Sequence, residues 1–230
     1  MKAMILAAGR GTRMKALTES TPKPLLPVAG QPLIYYHLKR LFEAGFTEVV
    51  VNVSHLANQM IQYFDADPVP GLTIQVSVEA EPLETAGGII KALPYLGDQP
   101  FVCINGDVWT DYPFEQLKNF KKQNSAYLVL VENPTHHPEG DFGLQGGDKN
   151  AVNQCVLSPP KYTFSGISLL DPALLMNYRS EQGRLGEVLK QAMADDKVFG
   201  SLYEGIWLDV GTPERLAEAN RMATVHSSRN

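Results

Sequence analysis

Hydrophobic and polar residues follow two alternating patterns over the first 130 positions of the chain. Short runs of β-branched and apolar residues, typical of strands buried on both faces of a sheet, occupy residues 3–8, 48–53, 73–78, 101–105 and 126–131. Segments with helical periodicity lie between them, at residues 32–44, 56–64, 86–93 and 115–122. Repeated strand-helix-strand units favour parallel strands with right-handed crossovers. We therefore predict an α/β fold with a Rossmann-like, doubly wound, mostly parallel sheet.

The pattern changes beyond residue 133, where turn-forming residues become frequent. Pairs typical of turns are Asn133-Pro134, Glu139-Gly140, Gly146-Gly147 and Pro159-Pro160. Strand-like pieces at 142–145 and 162–170 lie between these turns. We therefore predict a small antiparallel insertion in the sheet domain.

Regular elements return near the C-terminus. A helix is predicted at 185–194 and a strand at 207–210, and Thr212-Pro213-Glu214 combines an N-cap threonine with a proline and a glutamate suited to a first helical turn. We expect this closing helix to end near Met222 and residues 223–230 to form a flexible tail. The expected organisation is a single domain over 1–222, with a core at 1–132, an insertion at 133–206 and a closing segment at 207–222.

Composition and charge exclude several classes of protein. With 44% hydrophobic and 20% charged residues among 230, the chain is neither disordered nor collagen-like. Its net charge is −5 and no basic run exceeds Lys121-Lys122, so we expect no binding to nucleic acid. We expect no membrane partner either, because no apolar stretch reaches the roughly 18–20 residues that span a bilayer. Two distant cysteines form no disulfide framework or zinc motif, and we expect a cytoplasmic protein.

A glycine-rich loop, residues 8–13, follows the first predicted strand directly. Glycines at such a place let backbone amides approach an anion closely. Met14 stands where a dinucleotide-binding fingerprint needs its third glycine, and the Gly-Lys-Ser/Thr of a P-loop is also missing. The loop could thus be a phosphate cradle of another kind or simply a tight strand-to-helix turn.

Lys23 strengthens the phosphate hypothesis. It is flanked by Pro22 and Pro24, which hold it on a stiff segment because proline fixes φ. Together with Arg13 it offers two cations near the end of the first strand, which suits a polyphosphate. The alternative is a solvated lysine in a proline-rich turn.

Two aspartates follow predicted strands at remote places in the chain. Asp107 comes after the strand at 101–105, and Asp209 lies in the last strand. Ligands of parallel sheets bind beyond the carboxyl ends of the strands, and Mg²⁺ bound with nucleotide phosphates usually takes one or two protein carboxylates. Each aspartate could also merely cap a turn. The glycine-rich loop favours a metal site.

The segment from Leu6 to Val28 resembles the signature of the sugar-1-phosphate nucleotidyltransferases. It contains Leu-Ala-Ala-Gly-Arg-Gly-Thr-Arg-Met followed by Thr-Pro-Lys-Pro-Leu-Leu-Pro-Val. The resemblance implies catalytic roles for Arg13 and Lys23 and a Mg²⁺ ion on Asp107 and Asp209. It also implies that residues 1–132 bind the nucleotide and 133–206 the sugar. The implied nucleotide-binding residues are Ala8, Gly9, Gly11, Thr12, Arg13, Lys23, Glu81 and Gly88.

The same family places its base-recognition loop at residues 79–88. Many pyrimidine-using members carry a glutamine near the position of Glu81, so this loop leaves the base open. On the sugar side, the resemblance implies contacts to the sugar phosphate from Asn105, Asp141 and Gly143. The adjacent His136 and His137 are assigned to a surface loop.

Three further strings resemble one subfamily, the N-acetylmuramic acid 1-phosphate uridylyltransferases. They are Gly-Asp-Val-Trp-Thr-Asp-Tyr at 106–112, His-His-Pro-Glu-Gly-Asp-Phe at 136–142 and Thr-Phe-Ser-Gly-Ile-Ser at 163–168. This resemblance implies UTP and a sugar 1-phosphate as partners. We also expect the protein to be a monomer. The usual Glu-Lys-Pro motif is missing, because residues 158–161 are Ser-Pro-Pro-Lys. The alternatives are a mannose-1-phosphate guanylyltransferase and a catalytically silent nucleotide-sugar sensor.

Overall fold

The computed structural model describes residues 1–123, 125–146, 148–176, 178 and 183–227. The strands of this part are β1 Ala3–Leu6, β2 Pro27–Val28, β3 Gln31–Pro32, β4 Glu48–Val53, β5 Thr73–Val78, β6 Phe101–Asn105, β7 Val108–Thr110, β8 Ala126–Val131, β9 Phe142–Gln145, β10 Asn153–Val156, β11 Lys161–Leu170, β12 Val198–Leu202 and β13 Trp207–Asp209. Its α-helices are α1 Leu33–Glu43, α2 Ala57–Asp65, α3 Glu84–Leu96, α4 Ala173–Met176, α5 Leu185–Ala194 and α6 Pro213–Ser227. Short 3-10 segments cover Thr12–Thr18, Lys23–Leu25 and Phe114–Asn119.

One nine-stranded sheet forms the centre of the molecule, in the order β5-β4-β1-β6-β11-β8-β12-β10-β9. Strands β5, β4, β1 and β6 pair in parallel, and so do β8 and β12. Strand β11 lies antiparallel between β6 and β8, and β10 lies antiparallel between β12 and β9. The predicted α/β fold with a mostly parallel sheet is confirmed.

Helices cover both faces of this sheet, because successive residues of a strand point to opposite sides. In β1, Ala3 and Ile5 belong to the apolar cluster beneath α1 and α2, whereas Met4 belongs to the cluster beneath α3 and α5. Both clusters consist of buried aliphatic and aromatic side chains, as expected for strands covered on two sides. The predicted doubly wound arrangement therefore follows directly from the unbroken apolar runs.

A two-stranded antiparallel ribbon of β7 and β13 stands apart from the large sheet. It pairs Asp209 with Val108, and the Val210 N–H donates to the carbonyl of Asp107 at 2.7 Å. Helix α6 packs on this ribbon through a small apolar cluster that includes Trp109 and Val210. The ribbon thus brings residues about 100 positions apart in sequence to one edge of the sheet.

The predicted bounds of β4, β5, β6, β8, β9 and α5 agree with the structure. The predicted helix at 115–122 is wrong, since only the 3-10 segment Phe114–Asn119 forms there, and β1 ends at Leu6 because the loop leaves the sheet early. The predicted end of the last helix near Met222 is also wrong: α6 continues to Ser227, so the described part of the expected tail is helical. Residues 228–230 of that tail lie outside the described residues.

The predicted antiparallel insertion extends the large sheet instead of forming a sheet of its own. Strands β9, β10 and β12 continue the sheet on one side of β8, and β11 enters on the other. Assignment of residues 1–132 to a nucleotide and 133–206 to a sugar stays a prediction. Within the described ranges, no helix combines the length and hydrophobicity needed to cross a bilayer.

Candidate active site

A cleft of about 880 Å³ opens beyond the carboxyl ends of β1, β4 and β6. This is the edge at which parallel α/β sheets bind ligands. Its lining includes the complete loop from Ala8 to Arg13, together with Lys23, Asn105 and Asp107. The structure therefore brings together most of the residues that the sequence predicted for nucleotide and metal.

The glycine-rich loop owes its shape to Gly11. Its φ of +64° lies in the left-handed region that side chains rarely adopt. A Cβ at this position would also lie only 3.2 Å from Cβ of Lys23, whereas a Cβ on Gly9 would meet no atom within 4 Å. Gly11 thus allows Lys23 to pack against the loop, and Gly9 leaves the loop open toward the cleft.

Lys23 and Asp107 form an ion pair at the floor of the cleft. The Lys23 Nζ donates to Oδ2 of Asp107 at 2.7 Å, and the two side chains are 10% and 30% exposed. The turn that carries Asp107 approaches β1 closely, because a Cβ on Gly106 would lie 2.8 Å from the Leu6 carbonyl oxygen. A glycine before Asp107 is therefore required to place the carboxylate over the end of β1.

Asp209 lies across the β7–β13 ribbon from the residue after Asp107. Its Oδ1 accepts from Nη1 of Arg215 at 2.7 Å, and Nε2 of His136 lies 3.1 Å from the same oxygen. Gly211, two residues on, lines the cleft beside Arg13: a Cβ there would lie 3.2 Å from Cζ of Arg13. Gly211 is thus the neighbour of the predicted phosphate-binding arginine, whereas Asp209, two residues earlier, does not itself line the cleft.

The two aspartates have the donor set that Mg²⁺ with nucleotide phosphates requires. Among the described residues, Oδ1 of Asp107 and Oδ2 of Asp209 accept no hydrogen bond and belong to no ion pair. The described part of the chain also has no cluster of three or more histidine, cysteine or acidic side chains that could hold an ion. Mg²⁺ bound with a nucleotide needs only one or two carboxylates, since phosphate oxygens and water complete its octahedron. The pair fits such an ion.

Sequence reasoning missed two polar residues of the cleft, Asn52 and Glu79. The Asn52 side chain accepts from the Ala7 N–H at 2.8 Å and donates to Oε1 of Glu79 at 2.7 Å, while Oε2 of Glu79 accepts from the Leu83 N–H at 3.0 Å. Both side chains are 2% exposed. The chain of bonds connects the start of the glycine-rich loop with the loop after β5. The signal in the sequence that could have identified these two residues was an asparagine and a glutamate near the ends of two predicted strands.

The structure places two of the predicted base-binding residues away from the cleft. Glu81 is exposed and does not line it, whereas Glu79, two residues earlier, does. Gly88 is buried in α3, where a Cβ would lie 2.6 Å from Nδ2 of Asn52 and 2.7 Å from Oε1 of Glu79. Gly88 thus makes room for the Asn52–Glu79 pair instead of approaching a base.

Of the predicted sugar-phosphate residues, only Asn105 lines the cleft. The Asp141 carboxylate is occupied within the protein, because Oδ2 accepts from the Phe164 N–H at 2.8 Å and Oδ1 lies 3.2 Å from Nε2 of His137. Gly143 is buried under the carbonyl oxygens of Ser158 and Pro160. Both residues therefore shape the β9–β11 region and do not open into the cleft.

A buried histidine lies behind the Asp107 turn. His37 of α1 is 2% exposed, and within the described part of the chain its Nε2 has no hydrogen-bond partner. The pKa of His37 is lowered to about 4. Burial is the largest cause, the nearby Arg40 adds to the lowering, and Asp107 opposes it. The ring is therefore neutral at physiological pH and also makes a hydrogen bond to the backbone of Val108.

A family model described as nucleotidyl transferase matches residues 2–225. The chain belongs to the nucleotidyl transferase family. This nucleotidyl transferase is 46% identical over 229 residues to the N-acetylmuramate alpha-1-phosphate uridylyltransferase of Neisseria meningitidis serogroup B, a match that covers 97% of the chain and 98% of that protein. Family membership confirms what the motif at 6–28 predicted.

More distant proteins share the sequence or the fold of this nucleotidyl transferase. A mannose-1-phosphate guanyltransferase of Gibberella zeae is 32% identical over 225 residues, which cover 93% of the chain and 62% of that protein. The crystal structure of a UDP-glucose pyrophosphorylase complexed with UDP-glucose superposes with a TM-score of 0.82 at 18% identity and covers 98% of both chains. The last similarity shows that the fold is shared.

Proposed function

We propose that the protein transfers a uridylyl group from UTP to N-acetylmuramic acid 1-phosphate, giving UDP-N-acetylmuramic acid and pyrophosphate. The observation that carries this proposal is the convergence of the glycine-rich loop, Lys23 and Asp107 on one cleft, with Asp209 opposite Val108 on the adjoining β7–β13 ribbon. The near full-length similarity to the meningococcal uridylyltransferase supports the choice of substrates. We propose a cytoplasmic monomer that acts in the recycling of peptidoglycan.

Asp107 and Asp209 are the proposed ligands of a Mg²⁺ ion. Magnesium, when bound, supplies charge neutralisation at the reacting phosphates. Each of the two carboxylates has one oxygen in an ion pair, and its other oxygen has no partner among the described residues. The ion pairs thus fix the carboxylates in place before a ligand arrives.

The reaction needs positioning and charge more than a protein base. A phosphate oxygen of the sugar phosphate would attack the α-phosphorus of UTP, and the bond to the bridging oxygen of pyrophosphate would break in line. The nucleophile is already an anion, so no side chain has to remove a proton. Lys23 would neutralise charge at the reacting phosphates, and Arg13 would bind the leaving pyrophosphate.

The base would bind near the loop that follows β5. The polar residues that line this part of the cleft include Asn52, Glu79, Glu84, Thr85 and Arg184. Both oxygens of the buried Glu79 carboxylate already accept hydrogen bonds, from Asn52 and from the Leu83 N–H, so Glu79 does not select a base. Uridine is therefore favoured by the sequence similarity and not by this loop.

Pyrophosphate release tests the proposal directly. The purified protein is assayed with Mg²⁺, each of four nucleoside triphosphates and a panel of sugar 1-phosphates. We expect release with UTP and N-acetylmuramic acid 1-phosphate, and release that requires GTP and mannose 1-phosphate would favour the guanylyltransferase alternative. Nucleotide-sugar binding with no release from any pair would instead indicate a catalytically silent sensor.

A further inference from the structure

The Asp209 carboxylate is held by an arginine that the proposed reaction does not use. Arg215 lies in the first turn of α6, and its Nη1 is 2.7 Å from Oδ1 of Asp209 and 2.6 Å from Nε2 of His136. A guanidinium only donates hydrogen bonds, so Nε2 of His136 is assigned as an acceptor. Arg215 thus contacts both Asp209 and His136 and holds both side chains in place.

The guanidinium of Arg215 is largely buried. Its side chain is 13% exposed, and its buried Nε has no partner among the residues that the structure describes. Burial of a charge is costly unless the charge is paired, and Asp209 is the anion that pairs with it. The arrangement therefore ties the position of Arg215 to that of the Asp209 carboxylate.

Gly211 leaves room for the guanidinium groups of both Arg215 and Arg13. A Cβ on Gly211 would collide with Nη2 of Arg215 on one side and would lie 3.2 Å from Nη2 of Arg13 on the other. Arg13 lines the cleft, whereas Arg215 does not. Arg13 is therefore placed to contact a bound phosphate, whereas Arg215 lies outside the cleft lining and contacts Asp209.

We infer that Arg215 is a positioning residue for the metal site: it holds Oδ1 of Asp209 and thereby orients Oδ2 for a divalent cation. This inference rests on the proposed role of Asp209 as a magnesium ligand. Removing a partner that orients a metal ligand typically lowers metal affinity about 10- to 100-fold. A guanidinium that merely competed with the cation for Asp209 would have the opposite effect, because its removal would strengthen binding.

The test measures magnesium binding without turnover. Binding of uridine 5′-(α,β-imido)triphosphate is followed by calorimetry at increasing Mg²⁺, which gives the Mg²⁺ concentration at half-maximal binding. We expect Arg215→Met to raise this concentration about tenfold or more. Arg215→Lys should restore part of the loss, because lysine keeps the charge but not the planar fork. Arg221→Met, which changes an exposed arginine on the same helix, should match the unaltered protein.

Steady-state kinetics at saturating Mg²⁺ provide a second readout. If Arg215 acts by positioning the metal ligand, kcat of Arg215→Met recovers toward the normal value as Mg²⁺ is raised. A merely structural arginine would lower the melting temperature and leave the Mg²⁺ requirement unchanged, which would overturn the inference. Unchanged or tighter Mg²⁺ binding by both Arg215→Met and Arg215→Lys would overturn it as well, and the lysine variant covers the case in which the methionine variant does not fold.

Asp209→Asn separates this inference from the proposal on which it rests. If Asp209→Asn loses Mg²⁺-dependent binding while the Arg215 variants keep it, Asp209 is a metal ligand and only the role of Arg215 is refuted. If Asp209→Asn itself binds Mg²⁺ and nucleotide normally, the metal assignment of the proposed function fails and the role of Arg215 fails with it.

Discussion

The surroundings of Asp107 and those of Asp209 differ, although both aspartates lie at the end of the same ribbon. Asp107 pairs with Lys23, an ammonium group that itself lines the cleft. Asp209 pairs with Arg215, a guanidinium outside the cleft lining that also contacts His136. In the proposed function, the cation beside Asp107 binds a substrate phosphate, whereas the cation beside Asp209 acts through the carboxylate. Two carboxylates with the same proposed role thus depend on different kinds of neighbour.

Asp107→Asn should have the largest effect. The substitution removes the negative charge that pairs with Lys23 and one proposed metal ligand, so we expect pyrophosphate release to fall by about 10³-fold. Circular dichroism should show an intact fold. Asp98→Asn, at an exposed position before β6, serves as the control and should retain full activity. Near-normal turnover of Asp107→Asn would remove Asp107 from the mechanism.

The buried His37 behind Asp107 should make stability sensitive to acid. The unfolded chain takes up the imidazole proton near pH 6.5 and the folded chain only near pH 4. The unfolded state therefore binds more protons between these values, and stability falls as the pH drops through this window. The expected loss is about 3 kcal/mol.

Urea denaturation at pH 7 and pH 4.5 measures this effect. His37→Gln should lose less stability between these two pH values than the unaltered protein, because the titrating ring is gone. His136→Ala, which removes an imidazole that is 42% exposed, should keep the acid sensitivity. Equal losses for His37→Gln and the unaltered protein would assign the sensitivity to other groups.

Gly11→Ala should disturb the Lys23–Asp107 pair from the side of the loop. A methyl group there is strained at φ +64° and would press on Lys23, so we expect a loss of about 1–2 kcal/mol in unfolding free energy. Gly9→Ala is the matched control, since its Cβ meets no atom within 4 Å. Equal melting temperatures for the two variants would contradict the packing described for Gly11.

His136→Ala should have the smallest effect, and that effect should be confined to the surroundings of Asp209. His136 is 42% exposed, and exposed polar pairs contribute about 0.5 kcal/mol. We therefore expect kcat/KM to change by about twofold, far less than for Arg215→Met. A loss comparable to that of Arg215→Met would instead make His136 an equal partner in holding Asp209.

The sequence predicted best those features that are local. Strands β4, β6 and β8 were bounded correctly because each is a mostly apolar run between turn or helix signals. Strand β5 was also bounded correctly, although its sequence, Thr-Ile-Gln-Val-Ser-Val, alternates and the strand lies at the exposed edge of the sheet. Placement of Gly11, Lys23 and Asp107 on one cleft could be predicted because the ends of parallel strands meet at one edge of a sheet.

Features that depend on remote partners could not be derived in the same way. Glu79 lies in the cleft because Asn52, 27 residues earlier, binds it, and Glu81 on the same loop offers a similar local sequence. Asp141 was predicted to face a sugar, but a backbone amide 23 residues later takes its carboxylate. Strand β12 was not predicted, because its sequence, Val-Phe-Gly-Ser-Leu, does not alternate between apolar and polar residues although its burial alternates.

The position of β11 determines how the chain can assemble. Strand β8 is buried along its whole length, and its two neighbours in the sheet are β11 and β12, both supplied by later parts of the chain. Residues 1–132 on a ribosome therefore carry a hydrophobic strand with neither neighbour, and β6 has an open edge beside it. Pairing over such sequence separations is slow, and unpaired apolar edges promote association between chains. Until residue 202 has been synthesised, and β11 and β12 have both paired with β8, the nascent chain therefore exposes apolar strand edges that favour association with other chains.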